Sequence, residues 1–235
     1  NNISCRKAYD PSNKTKNFVN KYFSSSSDNN GFNPIKETIK KTLINKKFSN
    51  KVNFFVVGAP KSGTIFLKNF LNKNKKIFLP DIDTTYWGKD INNLSLYKTM
   101  DDYIEIFGKN LEDKNILCGE KTPMYFFSDD AMQNIYNHNK DAKIIISLRN
   151  PIDAVLSYHN HNKIMGFEPI NSFIDAWYAQ EKRKKSNYKI PYFAKKDKIR
   201  FQYRNIYSYD IHIKKIIKRF GEKNVKIIFF EDLTN

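Results

Sequence analysis

The residue types best suited to anion binding lie in the short segment GAPKSGT, residues 58–64. An apolar run typical of a buried strand precedes this segment, and a helical pattern follows it. Such a loop turns backbone N–H groups inward, and the helix that follows adds the positive end of its dipole. Lys61 can reach an oxygen of the bound group, while Ser62 and Thr64 add hydroxyl donors. The segment therefore predicts an anion site, with an ordinary strand–turn–helix as the alternative.

A second candidate for phosphate binding is Arg149, which ends another β-branched run, KIIISL. A helical pattern that begins near Pro151 follows it and carries Ser157. If this segment is helical, the Ser157 hydroxyl can join Arg149 around one phosphate. The planar guanidinium suits this task because it forms bidentate, charge-assisted hydrogen bonds. Alternatively, Arg149 pairs with Asp153 or caps the edge of a sheet.

Together, GAPKSGT and LRNPIDAVLS resemble the two cofactor-binding motifs of sulfotransferases. The resemblance implies 3′-phosphoadenosine 5′-phosphosulfate (PAPS), an anionic nucleotide, as the donor. It implies that the first motif binds the 5′-phosphosulfate and the second binds the 3′-phosphate. The expected cofactor-binding set is Pro60, Lys61, Ser62, Gly63, Thr64, Ile65, Arg149, Ser157 and Tyr209. No metal is required in this scheme, and no H-E-x-x-H motif is present.

A third segment, GEKTPMYF at residues 119–126, resembles the E-K-T/S-P-x-Y-F signature of the heparan sulfate glucosaminyl 3-O-sulfotransferases. It resembles their N-sulfotransferase relatives more loosely. The resemblance implies an amino sugar in a sulfated polysaccharide as the acceptor, while a protein tyrosine, a lipid or a small alcohol stays open. Transfer to oxygen and transfer to nitrogen are equally open.

The catalytic base that the resemblance implies is Asp83, because DTTYW at residues 83–87 fills the family pattern Glu-x-x-aromatic-aromatic. Glu120 and Asp81 are the alternative bases, and Glu120 could instead orient the site through an ion pair with Lys121. Lys61 is expected to stabilise the leaving 5′-phosphate oxygen, and Lys121 to help hold the sulfuryl group or an acidic substrate. Sulfuryl transfer resembles phosphoryl transfer, in which positioning and electrostatics dominate.

Alternating strand and helix patterns place these motifs in one α/β domain. We predict a doubly wound parallel sheet with a P-loop-like cofactor site at the carboxyl ends of the strands. The domain spans residues 51–235, and residues 1–50 form an extension with a Ser/Asn-rich stretch and a short helix over 35–48. Other helices are predicted over 94–107, 128–137 and 206–220, and a strand over 225–230. The family continues into a Lys-Gly-Arg-like element that closes over PAPS, so the resemblance implies either truncation at the carboxyl end or a different means of closure.

The 235 residues carry a formal net charge of +17, and the pI is about 9.6, which indicates an anionic partner. PAPS and a sulfated polysaccharide would both fit this charge, and the charge alone does not distinguish them from nucleic acid, which the resemblance does not imply. The run KRKK at 182–185 could line an acidic acceptor groove. No apolar run reaches the roughly eighteen residues that span a bilayer, so membrane attachment would need a segment absent from this chain. The resemblance implies the Golgi lumen or secretory pathway, with the cytoplasm as the alternative.

Two functions of other classes compete with sulfuryl transfer. A P-loop kinase or NTPase fits the glycine spacing, but the order GxxxxGK[ST] fails because Lys61 precedes Gly63. A non-catalytic polyanion-binding module fits the net charge. A histidine base, which the related cytosolic sulfotransferases use, has no matching context here. We predict that His159 and His161 lie at a helix end or in a solvated loop.

Overall fold

The computed structural model describes residues 51–91 and 97–234. The predicted extension over residues 1–50 lies outside the described residues, as do positions 94–96 of one predicted helix. The strands are β1 (Phe54–Gly58), β2 (Ile77–Phe78), β3 (Leu117–Lys121), β4 (Lys143–Leu148) and β5 (Val225–Phe229).

The α-helices of the described residues alternate with these strands along the chain. They are α1 (Thr64–Asn72), α2 (Met100–Glu105), α3 (Asp129–His138), α4 (Pro151–Ile164), α5 (Phe173–Tyr178), α6 (Gln180–Lys185), α7 (Tyr203–Ile206), α8 (Tyr209–Phe220) and α9 (Phe230–Thr234). Short 3₁₀ helices cover Gly108–Leu111, Pro123–Phe127, Tyr192–Ala194, Lys198–Phe201 and Glu222–Asn224.

The five strands form one parallel sheet in the order β2-β3-β1-β4-β5. The predicted parallel α/β architecture is therefore confirmed. β1 is central, with Phe54 opposite Gly119 of β3 on one side and Lys143 of β4 on the other. Because parallel strands end at the same edge, the segments that follow β1, β3 and β4 meet there.

Helices cover both faces of the sheet, which explains why its strands are apolar without alternation. Phe54 and Val56 of β1 face one side, where they join a cluster with Leu67 and Leu71 of α1. The intervening residues of β1 face the other side and pack in a larger cluster with α3, α4 and α8. The site segments are thus anchored between two buried layers.

Two of the predicted helices begin at side-chain caps. α3 begins after Ser128, whose hydroxyl accepts a hydrogen bond from the Ala131 N–H at 2.9 Å. α2 begins after Thr99, which forms a reciprocal capping box with Asp102, and it ends at Glu105. The prediction over 128–137 is confirmed within one residue, whereas the helix predicted to end at 107 is shorter than expected.

The structure corrects two other predictions. The helix predicted over 206–220 begins later than expected and ends as predicted, because α7 ends at Ile206 and α8 spans Tyr209–Phe220. The prediction for the histidines is wrong for His159, which lies inside α4, whereas His161 lies in the last turn of this helix, at a helix end as predicted. His159 is buried, and its Nε2 lies 2.9 Å from the Ile170 carbonyl oxygen.

Candidate active site

The loop after β1 has the backbone of an anion cradle. Lys61 and Gly63 have positive φ angles of 62° and 78°, in the left-handed region that turns successive N–H groups toward one side. α1 starts at Thr64 with no side-chain cap. The first-turn N–H groups of this helix therefore have no capping side chain and can donate to an anion.

Contacts from neighbouring elements hold this loop in place. The Ser147 hydroxyl at the end of β4 donates to the Ser62 carbonyl, and the Ala59 N–H donates to the Ser147 carbonyl at 2.6 Å. The Tyr207 hydroxyl donates to the Pro60 carbonyl at 3.2 Å. A polar residue inside the apolar run of β4 was the only sequence signal for Ser147.

The Ser62 side chain fits the binding of an anionic group by this loop. Ser62 is fully buried, and its hydroxyl has no hydrogen-bond partner in the described residues. Buried hydroxyls are normally paired, so an unpaired one inside an N–H-lined loop suits a phosphate or sulfate oxygen. Ile65, by contrast, exposes its side chain, and only its backbone belongs to the first turn of α1.

Arg149 lies directly after β4, at the same edge of the sheet as the loop. Its carbonyl accepts a hydrogen bond from the Tyr209 hydroxyl at 3.1 Å, and its guanidinium lies 4.7 Å from the centre of the Phe230 ring. The alternative pairing with Asp153 does not occur, because Arg149 forms no ion pair within residues 51–91 and 97–234. Tyr209 is buried and thus fixes the Arg149 backbone.

Phe230 brings the two predicted phosphate-binding segments together. A Cβ added at Gly63 would lie 2.6 Å from the Phe230 ring, and the same ring contacts Arg149. The glycine is therefore required both for its left-handed backbone and for this close approach. Ser157 lies two turns into α4 and is partly exposed.

Of the three candidate bases, only Asp83 combines exposure with a site lysine. Asp83 forms an ion pair with Lys121, the last residue of β3, and its side chain is 45% exposed. Lys121 itself is nearly buried. Asp81 instead pairs with Lys68 of α1, whose hydrogen bond lowers the pKa of the Asp81 carboxyl.

Glu120, the neighbour of Lys121, is enclosed in the core. Its carboxylate accepts hydrogen bonds from the Thr84 and Thr122 hydroxyls, from Tyr125 and Tyr103 at 2.7 and 2.6 Å, and from the Trp87 indole at 3.0 Å. Burial raises the pKa of Glu120, and these donors oppose the rise. A fully buried carboxylate does not reach an acceptor, so its geometry is that of a positioning residue.

The Glu120 contacts determine where Asp83 lies. Thr84 and Trp87 belong to the same loop as Asp83, and both donate to Glu120. The adjoining Lys121 holds the Asp83 carboxylate from the other side. The loop that carries the candidate base is therefore anchored to the end of β3 at three points.

His161 and Arg200 form a part of the site that the sequence did not indicate. The pKa of the exposed His161 is lowered by partial burial and by the charges of Lys61 and Arg200, and Asp83 opposes this effect. The charges of two candidate catalytic residues, Lys61 and Asp83, therefore both act on the pKa of His161. Arg200 is hydrogen-bonded to Asp197 at 2.8 Å and lies over the Phe167 ring.

Within the described residues, no group of three or more His, Cys, Asp or Glu side chains could hold a metal ion. None of the described helices is both long enough and apolar enough to cross a bilayer.

Comparisons with known proteins agree with this geometry. Residues 51–235 match the family model described as "Sulfotransferase domain". The chain is 33% identical over 113 residues to the membrane-associated sulfotransferase kil1 of Dictyostelium discoideum, and 28% identical over 102 residues to heparan sulfate glucosamine 3-O-sulfotransferase 3A1 of Mus musculus. These matches cover 46% and 43% of this chain but only 22% and 24% of the two relatives.

A solved structure shares the fold. The sulfotransferase from Alicyclobacillus acidocaldarius superposes with a TM-score of 0.66 and 27% identity, covering 77% of this chain and 74% of that one.

Proposed function

The chain belongs to the sulfotransferase family, and on that basis we propose that it transfers a sulfuryl group from PAPS to a hydroxyl or amine of an acceptor. The observation that carries the proposal is the buried, unpaired Ser62 hydroxyl in a loop beside Arg149, which has no ion pair in the described residues. Two separate anion-binding groups at one sheet edge suit a nucleotide with two phosphorylated positions.

The residues of the loop would hold the 5′ end of the donor. The N–H groups of residues 62–65 and the Ser62 and Thr64 hydroxyls would donate to its phosphosulfate oxygens. Lys61 would place its ammonium against the oxygen on which negative charge develops. Arg149, with the Ser157 hydroxyl, would bind the 3′-phosphate through its planar fork. PAPS, when bound, supplies the sulfuryl group.

Asp83 would remove the proton from the acceptor. A new S–O or S–N bond forms at the acceptor while the S–O bond to the 5′-phosphate breaks, and the acceptor proton passes to the Asp83 carboxylate. Lys121 would hold this carboxylate in place and contribute positive charge beside the transferring group. Glu120 would act indirectly, by fixing the loop that carries Asp83.

The acceptor that we propose is an amino sugar of a sulfated glycan. The support is the EKTPMYF segment at 120–126 and the similarity to a relative whose name specifies heparan sulfate glucosamine. This acceptor would place the protein in the secretory pathway. Epitope tagging of the whole protein with a Golgi marker tests the location, and a purely cytosolic signal would contradict it.

Calorimetric titration with adenosine 3′,5′-bisphosphate tests the donor site. We expect tight binding, a clear preference over AMP and ATP–Mg²⁺, and a loss of roughly tenfold to a hundredfold in affinity for Arg149→Ala, because hydrogen bonds to a charged phosphate contribute about 1.5–3 kcal/mol. Arg204→Ala removes the same charge from a guanidinium that lies over Trp177 and should leave the affinity unchanged. A preference for ATP–Mg²⁺ would overturn the proposal.

The role of Asp83 has a separate test. Asp83→Asn should retain bisphosphate binding but lose sulfuryl transfer in a radiolabelled PAPS assay against a panel of glycans. Transfer at the wild-type rate would exclude Asp83 as the base.

A further inference from the structure

Three aromatic side chains project into solvent within six residues of each other. Tyr192 is 86% exposed, Phe193 50% and Tyr188 38%. Rings are usually buried for most of their area, and neighbouring exposed rings on one surface commonly mark an interaction site.

Lysines lie against these rings, and none of them has an acidic partner among the described residues. The Lys182 and Lys189 ammonium groups lie 5.1 and 5.7 Å from the centre of the Tyr188 ring, and Lys195 lies 4.7 Å from that of Tyr192. No ion pair involves these three lysines in the part of the chain that the structure describes. We call the six residues Lys182, Tyr188, Lys189, Tyr192, Phe193 and Lys195 the basic–aromatic edge.

Neighbouring acidic residues are already neutralised. Asp197 is bound by Arg200, and Glu168 is bound by Arg183 through two hydrogen bonds of 2.7 Å. The ammonium groups of the basic–aromatic edge are therefore left to attract an anion from solution.

A buried ion pair fixes the position of this edge. Arg183, predicted from its lysine run to line a groove, is instead fully buried. In addition to Glu168, it donates to the backbone carbonyls of Tyr188 and Lys189 at 3.4 and 3.3 Å. The edge is thus preorganised, which lowers the conformational entropy lost when a ligand binds.

The edge is continuous with the acceptor side of the site. Phe193 packs on Phe167 with ring centres 5.5 Å apart, and the Arg200 guanidinium lies 4.2 Å from the centre of the same Phe167 ring. The Phe167 N–H donates to the Asn162 carbonyl at 2.8 Å, which places this ring at the end of α4 next to His161, and the charges of Arg200 and Asp83 both act on the pKa of His161. A polymer held at Asp83 could therefore extend past Arg200 to the exposed rings.

We propose that the basic–aromatic edge binds an anionic polysaccharide, as an extension of the acceptor beyond the residue that receives the sulfuryl group. This inference rests on the proposed function. Sugar rings present C–H faces that pack on tyrosine and phenylalanine, and their sulfates or carboxylates pair with the adjacent ammonium groups. Nucleic acid fits less well, since lysines lie over the tyrosine faces on which bases would stack.

Binding of size-defined heparin oligosaccharides tests this surface. Lys189→Ala/Lys195→Ala and Tyr192→Ser/Phe193→Ser should each weaken binding of a dodecasaccharide at least tenfold, and the lysine variant should also show a shallower salt dependence. Binding of a tetrasaccharide should change much less, because the proposal places the edge beyond the residue that receives the sulfuryl group. Lys73→Ala/Lys76→Ala, which removes equal charge beyond α1, is the control and should leave the affinity within twofold.

Three results would overturn the inference. They are wild-type affinity in both edge variants, an equal loss in the control variant, and single-stranded DNA of equal charge binding as tightly as the dodecasaccharide with the same dependence on the edge. Titration with adenosine 3′,5′-bisphosphate on the same samples separates the two proposals. Wild-type bisphosphate affinity with lost dodecasaccharide binding supports the edge, whereas absence of bisphosphate binding in the wild-type protein contradicts the proposed donor site itself.

Discussion

Thr84→Val offers a sharp test of the anchoring of the Asp83 loop. The Thr84 hydroxyl donates to the buried Glu120 carboxylate and accepts from the Tyr86 N–H at 3.2 Å. Valine has nearly the same shape but can form neither of these two hydrogen bonds. A hydrogen bond to a charged group contributes about 1.5–3 kcal/mol and a neutral one about 0.5–1.5 kcal/mol. We therefore expect the free energy of unfolding to fall by about 2–4 kcal/mol.

Urea denaturation measures this change as a lower midpoint with an unchanged slope. The adjacent Thr85→Val is the matched control, because within the described residues the partly exposed Thr85 hydroxyl donates one hydrogen bond, to the Thr84 carbonyl. The free energy of unfolding of Thr85→Val should fall by less than about 1 kcal/mol. In the folded Thr84→Val variant, kcat/KM for transfer should decrease, while affinity for adenosine 3′,5′-bisphosphate should not, since the Thr84 hydroxyl is bonded to Glu120, Tyr125 and Tyr86, which lie outside the loop after β1. Equal stability of the two variants would refute the reasoning.

Three other predictions concern stability and binding. Gly63→Ala should lower both stability and bisphosphate affinity, because an alanine in the left-handed backbone conformation costs about 1–2 kcal/mol and its methyl group would clash with the Phe230 ring. Gly166→Ala is the control for the backbone cost alone, because Gly166 has a φ of +75° and open space around it. Glu168→Gln should reduce the free energy of unfolding by about 3–5 kcal/mol in urea, since it leaves Arg183 buried beside a neutral partner, and a loss below about 1 kcal/mol would contradict this. Burial lowers the pKa of His138 to about 4, so the folded state disfavours its protonation, and the stability present above pH 6.5 is lost as the pH falls toward 4. In thermal melts at a series of pH values, His138→Gln should make the melting temperature fall less steeply with acid. An unchanged dependence on pH would contradict the role of His138.

The sheet and its phosphate-binding edge could be predicted because short-range patterns determine them. Apolar runs end at Gly58 and Leu148, and each is followed by a helical pattern, which is sufficient to predict parallel strands with Lys61 and Arg149 at one edge. The roles of those side chains in donor binding stay predictions. Local pattern also predicted α3, whose cap lies within the same short segment.

The acceptor side could not be predicted in the same way, because its contacts join residues far apart in the chain. The donors to Glu120 come from positions 84 to 125, and only the folded chain brings them together. Arg183 lies in a run of lysines that reads as solvated, yet its partner Glu168 is fifteen residues earlier. The break between α7 and α8 was missed because the apolar spacing continues across it.

The order of the strands separates two groups of residues that could be changed independently. Most candidate donor-binding residues follow β1 and β4, whereas Asp83 and Lys121 lie on the β3 side, and the basic–aromatic edge lies in α6 and in the segment that follows it. Loops of a different acceptor preference could therefore be grafted onto this chain while the nucleotide site is left intact. A graft that spans residues 168–203 would be the suitable segment to exchange. It would contain both partners of the buried Arg183–Glu168 ion pair and the Tyr203 hydroxyl that donates to Glu168.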